Sequence, residues 1–178
     1  MIERRQLRWV LILVCAALVS FPAPRCHAEG ATSEVIRAAF NHDCEALLLS
    51  QIARARSEIL VAAYSITRPA IVAALVDAND HGVRVKVKYD AKQADYEGMK
   101  DALSDLRKHG IKCWPIRMSE EHASMHNKFV VIDRSRVLTG SYNYTSPASV
   151  LNYENLVLMD LPAIAGEFAA AFDAIKSH

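Results

Sequence analysis

The chain has 178 residues, 52% of them hydrophobic, and carries 21 Lys and Arg against 20 Asp and Glu, a formal charge of +1. That length holds one domain with a sizeable core, and six Gly with six Pro exclude a collagen-like or Pro/Gly-rich disordered chain. The near balance of charge excludes a globally basic nucleic-acid binder, and no apolar run in the body of the chain is long enough for a polytopic membrane protein.

In chain order, Arg4, Arg5 and Arg8 precede an apolar run from Trp9 to Val19; Pro22 and Pro24 end it, and Cys26 and Ala28 are small residues suited to a cleavage site. This is the three-part pattern of a secretory signal peptide. The alternative, an uncleaved anchor, needs a longer apolar run. Residues 1–28 therefore read as a signal and residues 29–178 as a domain exported to a periplasm or the medium, with no stable membrane insertion after cleavage. Taking four of the basic and one of the acidic residues away with the signal leaves a formal charge of −2, so any phosphate-binding surface must be a local patch. Cys44 and Cys113 stay with the domain. They either pair as a disulfide in an oxidising compartment or remain buried free thiols.

Strands and helices then alternate. Residues 34–40 read as a strand and 44–56 as a helix with Asn41 or Asp43 as N-cap. The run E-I-L-V-A-A-Y at 58–64 suits a buried strand, Pro69 opens a helix to about Asn79, and Gly82 ends it. Residues 83–89 alternate Val with Arg84, Lys86 and Lys88, a strand with one basic face that is either solvated or free to bind nucleic acid. A helix at 96–109, a strand at 111–116, two strands at 129–133 and 135–139, a strand at 156–159 and a helix at 162–176 complete the chain. This order predicts an α/β domain: a mixed, mostly parallel central sheet with helices on both faces. Trp114 and Tyr64 read as core packing, and Tyr142 and Tyr144 as packing behind Asn143.

The chemistry concentrates between His126 and Asn143, H-N-K-F-V-V-I-D-R-S-R-V-L-T-G-S-Y-N. His126 and Lys128 are two apart at the mouth of a strand, and Ser141 and Asn143 repeat that relation after Gly140, so each pair shares a face. Side by side, the two stretches bring together an imidazole, an ammonium, a hydroxyl and a carboxamide. Lys128, Ser141 and Asn143 can donate to the oxygens of a phosphodiester, and a neutral His126 can attack phosphorus. Asp133, at the far end of the strand, is better placed to hold a loop. Glu154 is a candidate to accept the second ring N–H of His126. His122 and His126 have helical metal-ligand spacing, but they precede a strand and lack companion ligands, so zinc is disfavoured.

These residues resemble the phospholipase D superfamily signature, H-x-K-x4-D followed by G-S-x-N, at His126, Lys128, Asp133, Gly140, Ser141 and Asn143. The A-Y-S at 63–65, the H-G-V-R-V-K-V at 81–87 and the position of Glu154 also look like the small exported endonucleases of that superfamily. The resemblance implies catalytic roles for His126, Lys128, Asp133 and Glu154, phosphate binding by Lys128, Ser141 and Asn143, a phosphohistidine intermediate, and no metal or other cofactor. It also implies a homodimer, because the superfamily site takes two such motifs and this chain has one. The expected activity is non-specific cleavage of DNA or RNA. The alternatives are phospholipid head-group hydrolysis, disfavoured by the lack of an obvious exposed apolar loop, and a non-enzymatic binding module.

Overall fold

The computed structural model describes residues 35–177; the proposed signal peptide lies outside them. The elements are β1 (Val35–Phe40), α1 (Asp43–Ile52), β2 (Glu58–Ala63), α2 (Pro69–Asp80), β3 (Arg84–Asp90), α3 (Glu97–Lys108), β4 (Lys112–Ile116), β5 (Lys128–Ile132), β6 (Arg136–Gly140), α4 (Ser146–Val150), β7 (Asn155–Asp160) and α5 (Pro162–Ala174). The strands form one sheet in the order β1-β7-β6-β5-β2-β3-β4.

Strands β2 and β5 are buried along their whole length, which is why their sequences are continuous apolar runs. Alternation splits their side chains between two cores. Ile59, Val61 and Ala63 join Val85 and Val87 under α1, α2 and α3. Leu60 and Ala62 join Phe129, Val131 and Val137 under Ala165, Ala169 and Phe172 of α5. Burying one such large side chain contributes on the order of 1.5–3 kcal/mol.

The mixed sheet and the helices on both faces are as expected. The parallel majority is not. Only β2·β3 and β3·β4 run parallel, whereas β1·β7, β7·β6, β6·β5 and β5·β2 are antiparallel. Only three residues separate β5 from β6, too few for a parallel crossover. Two of them, Asp133 and Arg134, both have φ of 52°, the twist that two strands of a hairpin require.

Two further expectations change, for the α1 cap and for Trp114; one short helix is added, and the cysteines take one of their two expected states. The N-cap of α1 is His42, without a side-chain cap, because the Asn41 side chain already accepts a hydrogen bond from the Glu154 N–H. The short helix α4 was not legible, since five residues give no helical periodicity. Cys44 and Cys113 are both free: Cys44 lies in α1 beside β1, and Cys113 lies on β4 at the opposite edge of the sheet. Burial pushes both thiols up to about 11, so neither is an appreciable thiolate at neutral pH. Trp114 is not core; on edge strand β4 it is 39% exposed.

The basic face of β3 is largely committed within the chain. Lys86 pairs with Glu58 at 3.1 Å. Lys88 donates to the Phe172 and Ile175 carbonyls at 2.6 and 2.7 Å, capping the negative end of α5. Burial lowers the Lys88 pKa.

Candidate active site

The site lies where the carboxyl ends of β2 and β3 meet the start of β5. Ala63 is paired with Lys128, and the Tyr64 N–H donates to the Asn127 carbonyl at 2.9 Å, which fixes His126 at the sheet's end. The preceding loop is strapped down by a buried carboxylate. Asp90, 1% exposed, accepts from the Met125 N–H at 2.7 Å and the Lys92 N–H at 2.9 Å. Lys92 Nζ donates in turn to the Glu121 and Ala123 carbonyls of that loop.

Lys128 Nζ donates to His126 Nε2 at 3.2 Å and to the His126 carbonyl at 3.0 Å. An ammonium has only donors, so this bond makes Nε2 the acceptor and places the proton of a neutral imidazole on Nδ1. The Tyr64 ring stands edge-on to the imidazole, with centroids 4.7 Å apart, and lies 5.2 Å from Lys128 Nζ. Tyr64 is therefore part of the site rather than core, a role that an aromatic after a buried strand does not announce. Its hydroxyl accepts from Gln93 Nε2 at 2.8 Å. Burial lowers the Lys128 pKa, and the nearby Glu154 carboxylate partly offsets that shift.

Glu154 does not take the place expected beside the imidazole. Its Oε2 accepts from Ser141 Oγ at 2.5 Å and its Oε1 from Asn152 Nδ2 at 3.1 Å, so both oxygens already have donors. Ser141 Oγ is itself held by the Asn155 N–H at 3.0 Å. Ser141 is thus bound to a carboxylate, which occupies the hydroxyl proton expected to face a phosphate. Gly140 makes this close approach possible: a Cβ there would lie 2.2 Å from the Asn155 carbonyl oxygen, so β6 can meet β7 only through glycine. Asn143 Oδ1 is buried with no hydrogen-bond partner among the described residues. Tyr142 and Tyr144 are buried behind it.

Asp133 stands apart from these groups, at the other end of β5. Its carboxylate accepts from the N–H groups of Arg56, Ser57 and Glu58 and from the Ser57 hydroxyl. Burial opposes the charge, but these donors prevail and the pKa is lowered. The Asp133 of the motif therefore clamps the entry to β2, and it does not reach the His126–Lys128 pair. His122 is exposed in the loop. Among the described residues no group of three His, Cys, Asp or Glu side chains is arranged to hold a metal ion.

An apolar rim adjoins the site, contrary to expectation. Val150 at the end of α4 and Leu151 and Tyr153 between α4 and Glu154 are exposed. The run is too short and mixed with polar residues to be read as a patch from sequence alone.

Residues 48–176 match the family model described as "Cardiolipin synthase, PLD-like domain". The chain belongs to the phospholipase D-like family. It is 31% identical over 125 residues to a phospholipase D of Rickettsia bellii, covering 70% of this chain and 60% of that protein. It is 30% identical over 128 residues to the mouse mitochondrial cardiolipin hydrolase, covering 72% of this chain and 56% of that protein. The chain thus spans about 56–60% of the length of these curated relatives. Among solved structures, Nuc of Salmonella typhimurium, a phospholipase D family member, superposes with a TM-score of 0.73 at 29% identity, covering 80% of this chain and 93% of that one.

Proposed function

We propose that this chain is a metal-independent phosphodiesterase that acts on DNA or RNA as a homodimer, with His126 and Lys128 of two copies sharing one site. The observation that carries this reading is the 3.2 Å contact between Lys128 Nζ and His126 Nε2. The contact supports a neutral His126 whose Nε2 accepts from a cation at the end of the sheet. A diester arriving there exchanges the lysine's bond to Nε2 for one to a non-bridging oxygen, and Nε2 is released to attack.

In the first step Nε2 of one His126 forms a bond to phosphorus while the bond from phosphorus to the leaving oxygen breaks. The second copy's His126, as imidazolium, gives its proton to that oxygen. Water then attacks the phosphohistidine, the second imidazole takes its proton, and the first His126 is regenerated. Two Lys128 ammonium groups and the Asn143 carboxamide stabilise the charge on the phosphoryl oxygens, and no cofactor is required. Residues 1–28 serve as an export signal, so the enzyme works in a periplasm or outside the cell.

A second reading, hydrolysis of phospholipid head groups, is favoured by one specific observation. Leu151 and Tyr153, 77% and 95% exposed, form an apolar rim beside Glu154 that could rest on a lipid surface. Relatives named as a phospholipase D and as a cardiolipin hydrolase support it too. Among the described residues no helix is long and apolar enough to cross a membrane.

Incubating the full chain with DNA, RNA and phosphatidylcholine or cardiolipin vesicles, with and without EDTA, separates these readings. Nucleic-acid cleavage that persists in EDTA is expected, as is a dimer by light scattering. Head-group release without nucleic-acid cleavage selects the second reading. His126→Ala is expected to abolish turnover in a folded dimer; retained turnover refutes the nucleophile.

A further inference from the structure

A second basic feature lies beyond the His126–Lys128 pair, on the sheet face that α5 leaves uncovered. Helix α5 packs over β2, β5, β6 and β7, while β3 and β4 extend past it. Across these two strands Lys86 is opposite Lys112, and Lys88 is opposite Trp114. Val85, Val87, Tyr89 and Cys113 face the α1–α3 side, so alternation puts Lys112 and Trp114 on the other face with Lys86 and Lys88. Lys86 and Lys88 have intramolecular partners, whereas Lys112 and Lys176 form no ion pair among the described residues.

A cleft of about 610 Å³ opens over Lys112, Trp114 and Phe172. A second cleft, of about 410 Å³, is lined by His126. The two share Ile116, Ile175 and Lys176, so a continuous groove leads from His126 to Trp114. Ser177 closes one wall: its hydroxyl accepts from the Arg117 N–H at 3.0 Å and holds the chain after α5 against the end of β4. The acid on the wall, Asp173, is partly neutralised by Arg134 at 3.6 Å. Three strand spacings separate β5 from β4, about 14 Å.

We infer that this groove is a track for single-stranded nucleic acid, in which a base stacks on Trp114 while Lys112 and Lys176 hold the phosphates on either side of it. The inference rests on the nucleic-acid reading above and assigns that substrate a strand state. A duplex keeps its base faces stacked, so an indole on an open sheet face has nothing to grip until the strand is single. A lipid surface fits less well. The indole is surrounded by ammonium groups, and the exposed apolar side chains Ile36, Phe40, Leu151 and Tyr153 belong to β1 and the loop before β7, toward the other edge of the sheet.

The test is equilibrium binding of a fluorescently labelled oligo(dT) to the full chain carrying His126→Ala, followed by anisotropy. Adding Trp114→Ala is expected to weaken binding roughly five- to hundredfold, with Trp114→Phe restoring most of it. Adding Lys112→Gln or Lys176→Gln is expected to lower the salt dependence of binding by about 0.7 of a logarithmic unit per decade of salt for each lysine–phosphate pair removed. Thermal unfolding by circular dichroism confirms that each variant is folded. Oligo(dT) binding equal to the parent in folded Trp114→Ala overturns the track. So does weakened binding of phosphatidylglycerol vesicles in that variant with oligo(dT) binding unchanged, which makes the surface a membrane contact. Hydrolysis of bis(p-nitrophenyl) phosphate by the wild-type chain tests the catalytic reading separately. Its failure while oligo(dT) binding still depends on Trp114 refutes the chemistry and leaves the track standing.

Discussion

The Ser141 hydroxyl donates to Oε2 of Glu154 across 2.5 Å, and this bond holds the carboxylate where its charge acts on Lys128. Burial lowers the Lys128 pKa and Glu154 raises it back, so the two effects oppose each other in one side chain.

Glu154→Gln removes the raising influence and keeps the shape. The Lys128 pKa is then expected to fall further, and the alkaline limb of the kcat/KM profile on a small diester to move to lower pH. A limb that stays in place, or moves to higher pH, contradicts the coupling. Ser141→Ala keeps the carboxylate and is expected to move the limb less.

Asp90, 1% exposed, holds the His126 loop through the Met125 N–H and the turn after β3 through the Lys92 N–H. Hydrogen bonds to a charged acceptor contribute about 1.5–3 kcal/mol each. Asp90→Ala removes both and is expected to cost about 3–6 kcal/mol of stability and to lower kcat more than it raises KM. Asp90→Asn, which keeps one acceptor oxygen, is expected to recover part of kcat. Wild-type kcat in folded Asp90→Ala refutes the positioning role.

Asp133 gives a pH dependence to folding itself. Its pKa in the folded chain is below the ordinary value, so the folded state binds its proton less readily than the unfolded state does. The stabilisation is present at neutral pH and is lost as pH falls below about 4, the unfolded value. Glu58, lowered because its bonds to Lys86 and Arg134 outweigh the effect of burial, adds to the same window. Asp133→Asn is expected to be about 2 kcal/mol less stable in urea at pH 7, with the gap to wild type closing toward pH 2. A gap that stays constant with pH refutes the account.

Gly140→Ala puts a Cβ 2.2 Å from the Asn155 carbonyl oxygen, and backbone cannot yield as a flexible side chain can. Forcing β6 from β7 is expected to cost about 1–3 kcal/mol and to lower turnover through displacement of Ser141. Unchanged urea midpoint and turnover would show that the strands separate without cost.

Much of this was legible in the chain alone. The order of strands and helices followed from period and punctuation: E-I-L-V-A-A is a doubly buried strand wherever it lies, and Pro69 and Gly82 bound α2 by their backbone properties. The grouping of His126 with Lys128 followed from the two-residue repeat of an extended chain. What the sequence could not contain is who faces whom across strands distant in order. Of the four antiparallel pairs, β5·β6 and β6·β7 join neighbours in sequence, but those of β5 with β2 and of β1 with β7 join strands more than 60 residues apart. Contacts beyond the local period gave Glu154 to Ser141 instead of His126 across β6 and β7, brought Tyr64 to the imidazole across β2 and β5, left Trp114 on edge strand β4, and took Lys88 to the end of α5. Local periodicity is a property of neighbours along the chain and is written there. Hydrogen-bond partners are settled by competition among all donors that the fold brings within about 3 Å, and that competition exists only once the sheet has closed.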